Sequence, residues 1–481
     1  MERLRVFQGY DATIGFDEMF LAEGSVRPHY APLRNRLQEL GAPELCRRHQ
    51  VADLMMRKQG ITFTVYGRDQ GVERIIPFDP IPRLVANDEW DRIDRGLKQR
   101  VRALNLFLRD VYHERRILKD RVVDPELVLN ASGYRREMVG ARVPKNIYLH
   151  VCGIDLIRDA TGRYLVLEDN GRTPSGVSYV LKNRQVMKQV FPTLFQEYNV
   201  RPIDDYAANL LAVLRHAAPE GCADPTVVVL TPGIYNSAYY EHSYLARKMG
   251  VELVEGRDLV LDKGRIAMRT TRGLRQVDVI YRRVDDDFLD PLIFRDDSRL
   301  GVPGLVGAYR SGQVGLVNAI GTGVADDKGI YPFVPDIIRY YLGEDPILDN
   351  VETFRPQVPA QKQHILANLH KLVVKPVDSS GGYGLLIGPA STAAQREEFA
   401  RKIEDNPRGY IAQPTITLSL HPTLMSDGRM EGRHVDLRPF VLYGEEITLL
   451  PGGLTRVALP KGSLVVNSSQ GGGTKDTWVL R

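Results

Sequence analysis

The sequence predicts an α/β protein of about three domains, and three stretches carry that prediction. Thr226 to Leu230 is a continuous β run. The turn Thr231-Pro232-Gly233, a helical stretch at 237–249 and the β run Val251 to Val254 follow it, giving a strand, helix, strand unit of parallel type. Trp90, Ile93, Leu97, Val101, Leu104, Leu108 and Val111 recur at spacings of three and four, which predicts an amphipathic helix over 88–111. Ile147 to Ile157 and Tyr164 to Leu167 are apolar runs on either side of Asp159-Ala160-Thr161-Gly162, a turn cluster that predicts a β-hairpin.

Composition narrows the class of function. A chain of 481 residues that is 43% hydrophobic and 26% charged has the material for packed cores, and disorder is not indicated. A net charge of +4, from 64 basic and 60 acidic residues, gives no electrostatic footprint for nucleic acid. No stretch approaches the roughly 18 apolar residues of a membrane span, and MERLRVFQGYD at the N-terminus lacks the apolar run of a signal peptide. Cys46, Cys152 and Cys222 are odd in number and far apart, which argues against a disulfide framework or a zinc site and fits a reducing cytoplasm.

Residues 1–85 read as an N-terminal cover region without evident chemistry, ending in a strand near Ile61 to Tyr66. Asn87 is the expected cap of the long helix, with Asp88, Glu89 and Asp91 at its positive end. In the hairpin, a loop of two or four residues centred on Ala160 and Thr161 sets Asp155 opposite Val166 and Glu168 opposite Gly153. Asp155 and Glu168 are then diagonal neighbours, roughly 7 to 8 Å apart at Cβ, and Asn170 shares their face. Two close carboxylates repel unless a cation joins them, and magnesium suits such a set. A polar strand end facing solvent is the equally weighted alternative on spacing alone.

Further along, Tyr235, Asn236, Ser237 and Glu241 lie beyond the carboxyl end of a strand, where ligands settle in open α/β sheets, although capping explains the same residues as well. The run Asp285-Asp286-Asp287 after the strand Val277 to Tyr281 is either a solvated loop or a receiver for a cationic amine. Residues 301–330 are glycine-rich and end in Asp326-Asp327-Lys328. Lys371 to Lys375 is a strand stopped by Pro376, followed by Asp378-Ser379-Ser380-Gly381-Gly382-Tyr383-Gly384 and the strand Leu385 to Ile387. A small flexible loop of this kind can lay backbone amides over phosphate oxygens beside the charge of Lys375.

These pieces resemble the ATP-grasp ligases, whose members include D-alanine-D-alanine ligase and bacterial glutathione synthetase. Asp155, thirteen residues on Glu168-x-Asn170, then Pro174, is similar to that family's metal strand pair. The strand, Lys375, Pro376 and the Ser379, Ser380, Gly381, Gly382 loop resemble its phosphate-covering hairpin, and Lys328 its earlier nucleotide lysine. Gln413, in Tyr410-Ile411-Ala412-Gln413-Pro414, resembles the hinge that meets adenine. His434-Val435-Asp436-Leu437-Arg438 looks like the strand that opens the second half of the grasp. Asn467 to Gly472 and on to Lys475 resembles an Asn-containing glycine loop; Thr474 and Asp476 around Lys475 exclude a P-loop.

In the ordinary family the lysine hairpin and glycine loop precede the metal strands, whereas here the metal strands come first. Joining Arg481 to the helix at 88–111 restores the usual order, so the chain resembles the circularly permuted ATP-grasp proteins, among them those called putative glutathionylspermidine synthases. The resemblance implies an α/β circularly permuted ATP-grasp fold with an inserted open-sheet α/β domain. It divides into 1–85, a metal-binding half at 86–198, a substrate domain at 199–317 and a nucleotide-binding half at 318–481.

The same resemblance implies a carboxylate–amine ligase working through an acyl phosphate with ATP and Mg²⁺. Asp155, Glu168 and Asn170 would hold the metal, and Lys328 and Lys375 the nucleotide. Arg438, with Arg456 and Arg172 as further candidates, would steady the transferring phosphoryl group. Gly153 stands where D-alanine ligases carry an arginine two residues before the metal aspartate, which makes Arg172 the nearest replacement. The alternatives are a kinase that phosphorylates without ligation, or a non-catalytic ATP-binding subunit working with a protein partner. The acid and amine substrates are not legible.

Overall fold

The computed structural model of the chain describes residues 6–66, 71–378, 384–466 and 471–481, which form helices and sheets in mixed order. Its central element is the helix Asn87–Tyr112, on which the expected stripe is buried throughout. The first half of that stripe, Trp90, Ile93, Leu97 and Val101, packs with Cys152, Ile154, Leu156, Val166, Val441 and Val479. Leu104, Phe107, Leu108 and Val111 belong to a different core, with Val228, Leu230, Ile280 and Leu316. One helix therefore joins two cores, and its periodicity had to run unbroken for that length.

Asn87 is not the cap. Ala86 holds that position in extended backbone, and Asn87 is the first helical residue. Its amide oxygen instead accepts from Arg201. With no side-chain cap, the first turn keeps Asp88 and Glu89 as its complement to the helix dipole.

On one side of the helix lies a four-stranded antiparallel sheet in the order Ile447–Leu449, Phe440–Tyr443, Val151–Arg158, Tyr164–Asn170. Beside it, Thr455–Val457, Gly473–Val479 and Phe78–Val85 form a second sheet, whose last pair is parallel. Val479 pairs with Val85, and the Leu480 amide donates to the Val85 carbonyl at 3.0 Å. The end of the chain thus lies beside the start of the central helix, as rejoining Arg481 to that helix requires.

On the other side, Gly315–Val317, Val279–Arg282, Val227–Leu230 and Glu252–Val254 form an all-parallel sheet, matching the expected strand, helix, strand unit. Every residue of Val227–Leu230 and Val279–Arg282 is buried, as continuous β runs covered on both faces require. The antiparallel set Leu259–Asp262, Arg265–Thr270 and Gly273–Gln276, inserted in the chain between Glu252–Val254 and Val279–Arg282, was not foreseen. A smaller unit sets Leu386–Ile387, Leu372–Pro376 and Tyr410–Pro414 side by side, with its own core of Ile365, Leu372, Val374, Leu386, Ile403 and Ala412.

The N-terminal segment is held by a buried ion cluster. Glu18, 1% exposed, accepts from Arg83 Nη2 at 2.6 Å, Arg158 Nη1 at 2.8 Å and Ser419 Oγ at 2.7 Å. Burial alone would raise the Glu18 carboxyl, but Arg158 and Arg83 outweigh it and bring it from 4.5 to about 2. Its contribution to stability is then complete above pH 4.5 and lost as pH falls through about 2. Glu18→Gln should cost about 3 kcal/mol at neutral pH by leaving two buried guanidiniums short of charge, and should flatten the loss of thermal stability between pH 4.5 and 2, read by differential scanning calorimetry.

Candidate active site

The acidic hairpin is built differently from the expected register. Arg158 pairs with Tyr164 across a five-residue loop, 159–163, closed by the Asp159 carboxylate accepting from the Thr161 and Arg163 amides, with Gly162 at φ +86°. Leu156 pairs with Val166 but Asp155 pairs with Glu168, so Leu167 is an extra residue in the second strand, a β-bulge. The bulge places Glu168 directly opposite Asp155 rather than diagonal to it, with Asn170 opposite Gly153 on the same face. Facing residues are closer, roughly 4.5 to 5.5 Å at Cβ, so the two carboxylates crowd more than the sequence implied.

Asp155 is 1% exposed and carries two arginines. Arg438 Nε donates to one carboxylate oxygen, and Arg438 Nη2 at 2.8 Å and Arg456 Nη2 at 2.5 Å donate to the other. Burial would raise this carboxyl, but Arg438 and Arg456 hold it far below the usual carboxylate range. Asp436, fully buried, takes the other side of Arg456, whose Nε lies 3.0 Å from both its oxygens. Asp436 and Arg438 alternate along one extended segment, so both reach the same face.

Glu168 is the more open carboxylate. Lys328 Nζ lies 3.7 Å from one of its oxygens and Arg438 Nη2 3.8 Å from the other. The Lys328 amide donates to the Val377 carbonyl, which ties this lysine to the end of the Leu372–Pro376 strand that carries Lys375. Desolvation lowers the Lys375 ammonium to about 8, against the opposing pull of Glu168. The two expected nucleotide lysines and the two expected metal carboxylates therefore share one electrostatic neighbourhood.

Arg172 and Gln413 each already have a protein partner. Arg172 Nε donates to Asp326 at 2.8 Å, so its charge is already answered. The side chain that crosses Gly153 is Arg438: a Cβ on Gly153 would stand 3.5 Å from Arg438 Cδ, 3.7 Å from its Cγ and 3.1 Å from Pro174 Cβ. Arg438, not Arg172, fills the space that Gly153 leaves. Gln413 is buried and donates to Thr353 Oγ1 at 3.0 Å. Gly472 is buried just before Gly473–Val479, in which Thr474 pairs with Arg456. Ser379, Ser380, Gly381, Gly382 and Asn467 lie outside the described residues. Lys475 is buried against Asp79 and belongs to the core.

A cleft of ≈ 270 Å³ opens beside Glu168 and Asn170, with Lys328 on one wall and Arg135, Asp285 and Asp287 on another. Asp286, also on its lining, is buried and paired with Arg282 at 2.8 Å. Among the described residues no three Asp, Glu, His or Cys side chains form a ready metal cage. The oxygen set of Asp155, Glu168 and Asn170 nevertheless fits a hard cation that takes few carboxylates. Among the described residues the Asn170 Nδ2 is buried without a hydrogen-bond partner, so no donor contact fixes which way this amide faces.

The loop after Asn170 is held almost residue by residue from 241–326, which the sequence reading did not see. Asn318 Nδ2 donates to the carbonyls of Val151 at 2.6 Å and Gly171 at 2.8 Å, and its Oδ1 accepts from the His150 and Val151 amides, both at 2.8 Å. Asp326 accepts from the Gly171 and Arg172 amides. Arg283 donates to the carbonyls of Thr173 and Pro174. Glu241, weighed above as a substrate contact, accepts from the Gly176 and Ser178 amides at 2.8 and 2.9 Å and caps the helix Val177–Val190. Tyr235 is 85% exposed, and Asn236 accepts from the Ala238 amide in a local turn; the helix Tyr239–Met249 starts after Ala238 without a side-chain cap, so neither Asn236 nor Ser237 caps it.

The model of the family described as "Circularly permuted ATP-grasp type 2" matches residues 82–458. An uncharacterized protein of Synechocystis is 54% identical, over 98% of both chains. One of Mycobacterium tuberculosis is 52% identical, over 99% of this chain and 86% of that one. A protein of Frankia casuarinae named a putative glutamate–cysteine ligase is 44% identical, over 99% of this chain but 55% of its own length. Among solved structures, a glutathione synthetase-like effector from Globodera pallida in apo form superposes with a TM-score of 0.59 at 10% identity, over 91% of this chain and 98% of that one, a likeness of fold.

Asn318→Ala should lower stability by about 3 kcal/mol, because it orphans several buried backbone groups at once. Hydrogen exchange checks the cause: amides at 150–151 and 171–173 should exchange faster, while those of Leu372–Pro376 keep their wild-type rates.

Proposed function

The chain belongs to the circularly permuted ATP-grasp type 2 family, and from that premise we propose that it is an ATP-dependent carboxylate–amine ligase that releases ADP and phosphate. One observation carries the reading: Asp155, Glu168, Lys328, Arg438 and Arg456, drawn from segments nearly 300 residues apart, meet at one place. The family and the ligase-named relative support ATP-dependent ligation in general. The glutamate–cysteine ligase name belongs to a protein nearly twice as long, so it leaves the substrates here open.

In this reading residues 86–198 and 318–481 are the two halves of the grasp, 199–317 faces the substrate and 1–85 packs over the outside. Lys328 and Lys375 bind the nucleotide phosphates, with Ser379, Ser380, Gly381 and Gly382 as their cover. Gln413 lies at the adenine, and Asn467 and Gly472 belong to the glycine loop. Asp155, Glu168 and Asn170 would hold Mg²⁺, which supplies charge neutralisation at the phosphates. Arg438 stabilises the three oxygens of the transferring phosphoryl group, with Asp436 fixing Arg456 behind it.

A substrate carboxylate attacks the γ-phosphorus and ADP leaves. An amine then displaces phosphate from the acyl phosphate. The cleft toward Asp285 and Asp287 suits that amine in its charged form on arrival, and Arg172, paired with Asp326, lines the same cleft and would orient the acid. Among the described residues no helix is long and apolar enough to cross a membrane; we place the enzyme in the cytoplasm because ATP and small acids and amines are at hand there.

Incubation with ATP, magnesium and pools of acids and amines, followed by mass spectrometry, tests this. A condensed product equal in mass to acid plus amine less water, formed with stoichiometric ADP, is expected, and Lys375→Ala should slow it roughly a hundredfold or more. A phosphorylated acid or alcohol as the stable end product would instead make the protein a kinase.

A further inference from the structure

The guanidinium of Arg438 lies where a cation bridging the two facing carboxylates would lie. It binds both oxygens of Asp155 and stands 3.8 Å from Glu168, which pairs with Asp155 across the hairpin. Resting on the ligase reading above, we propose that Arg438 is a built-in counter-ion that holds the metal position in the nucleotide-free protein and gives it up only when nucleotide phosphates arrive with the metal.

The charge balance supports this division of roles. Asp155 and Asp436 carry two negative charges, and Arg438 and Arg456 two positive ones, so the buried group is neutral as it stands. Arg456 is anchored: it is 5% exposed and chelated by Asp436, so it keeps a partner if Asp155 turns away. Arg438 is not anchored in that way. Among the described residues its polar contacts besides Asp155 are the Ser175 carbonyl at 3.4 Å and distant Glu168, and its side chain is 15% exposed. Its stem runs over Gly153, where no side chain blocks its path.

A metal ion arriving alone would have to displace Arg438 and strand a guanidinium in a poorly solvated place. A metal ion arriving with triphosphate gives Arg438 a new anion as it leaves Asp155. Metal and nucleotide then bind with positive coupling, and the same movement delivers Arg438 to the transferring phosphoryl group. Empty protein is kept from closing on metal without nucleotide.

Manganese titration followed by electron paramagnetic resonance reads this without turnover. Arg438→Gln frees one Asp155 oxygen and removes the competing charge, so it should bind Mn²⁺ without nucleotide at least tenfold more tightly than wild type. Arg438→Lys, which keeps the charge but loses the fork, should gain less, and serves if Arg438→Gln folds poorly by thermal melting. A non-hydrolysable ATP analogue should tighten Mn²⁺ at wild type at least tenfold and at Arg438→Gln much less. Equal or weaker nucleotide-free Mn²⁺ binding in both variants, with wild type binding the metal normally beside the analogue, would overturn the counter-ion role and leave the ligase reading standing. No Mn²⁺ binding at wild type even with the analogue would overturn the metal assignment itself, and this proposal with it.

Discussion

A carboxylate buried to 1% exposure with two arginines on it is the constraint around which the rest of the molecule is arranged. A lone ionised Asp155 in that position would cost several kcal/mol, and each arginine would be equally unfavourable without it. Neither partner is local. Arg438 and Arg456 come from 283 and 301 residues further along the chain, so the hairpin face can be buried only once the C-terminal segment has folded over it. The sheet order fixes this closure, because Phe440–Tyr443 pairs directly with Val151–Arg158, and Gly473–Val479 returns beside Phe78–Val85. In a permuted chain, that pairing does the work that sequence neighbours do elsewhere.

The second constraint is the segment 171–178, whose peptide groups are held by side chains from elsewhere in the chain. Asn318, Asp326, Arg283 and Glu241 hold successive peptide groups, and all four come from 241–326. Such groups must be satisfied when buried, and side chains from another segment satisfy them here. The parallel sheet is thereby coupled to the acidic hairpin through hydrogen bonds as well as through the apolar core that Val151 shares with Val229, Tyr281 and Val317.

Much of this was legible in the sequence, for identifiable reasons. The helix stripe from Trp90 to Val111 and the parallel run Val227–Leu230 follow from periodicity and length, which survive any tertiary arrangement. That Asp155, Glu168 and Asn170 share a face was also readable. Their register was not, since a single bulged residue at Leu167 leaves no mark in composition. Asn87 looked like a cap because caps are read from residue type, whereas Arg201, a distant residue, claims its side chain. Arg172 was the candidate to replace the cation missing at Gly153, but Arg438 is the arginine whose side chain lies against that position. Asn318 and Asp436 give no signal of these roles before the fold brings them to their partners.

The account stands most directly on nucleotide and metal sharing the site that Asp155, Glu168 and Lys375 define. A magnesium-dependent thermal shift with ATP, on wild type and on Asn170→Ala and Lys375→Ala, measures it. Ligand at about a hundred times its dissociation constant should add roughly 2.7 kcal/mol, a shift of several degrees that needs both ATP and magnesium and that both variants lose. A wild-type protein unmoved by ATP and magnesium together, or variants that shift as fully as wild type, would contradict it.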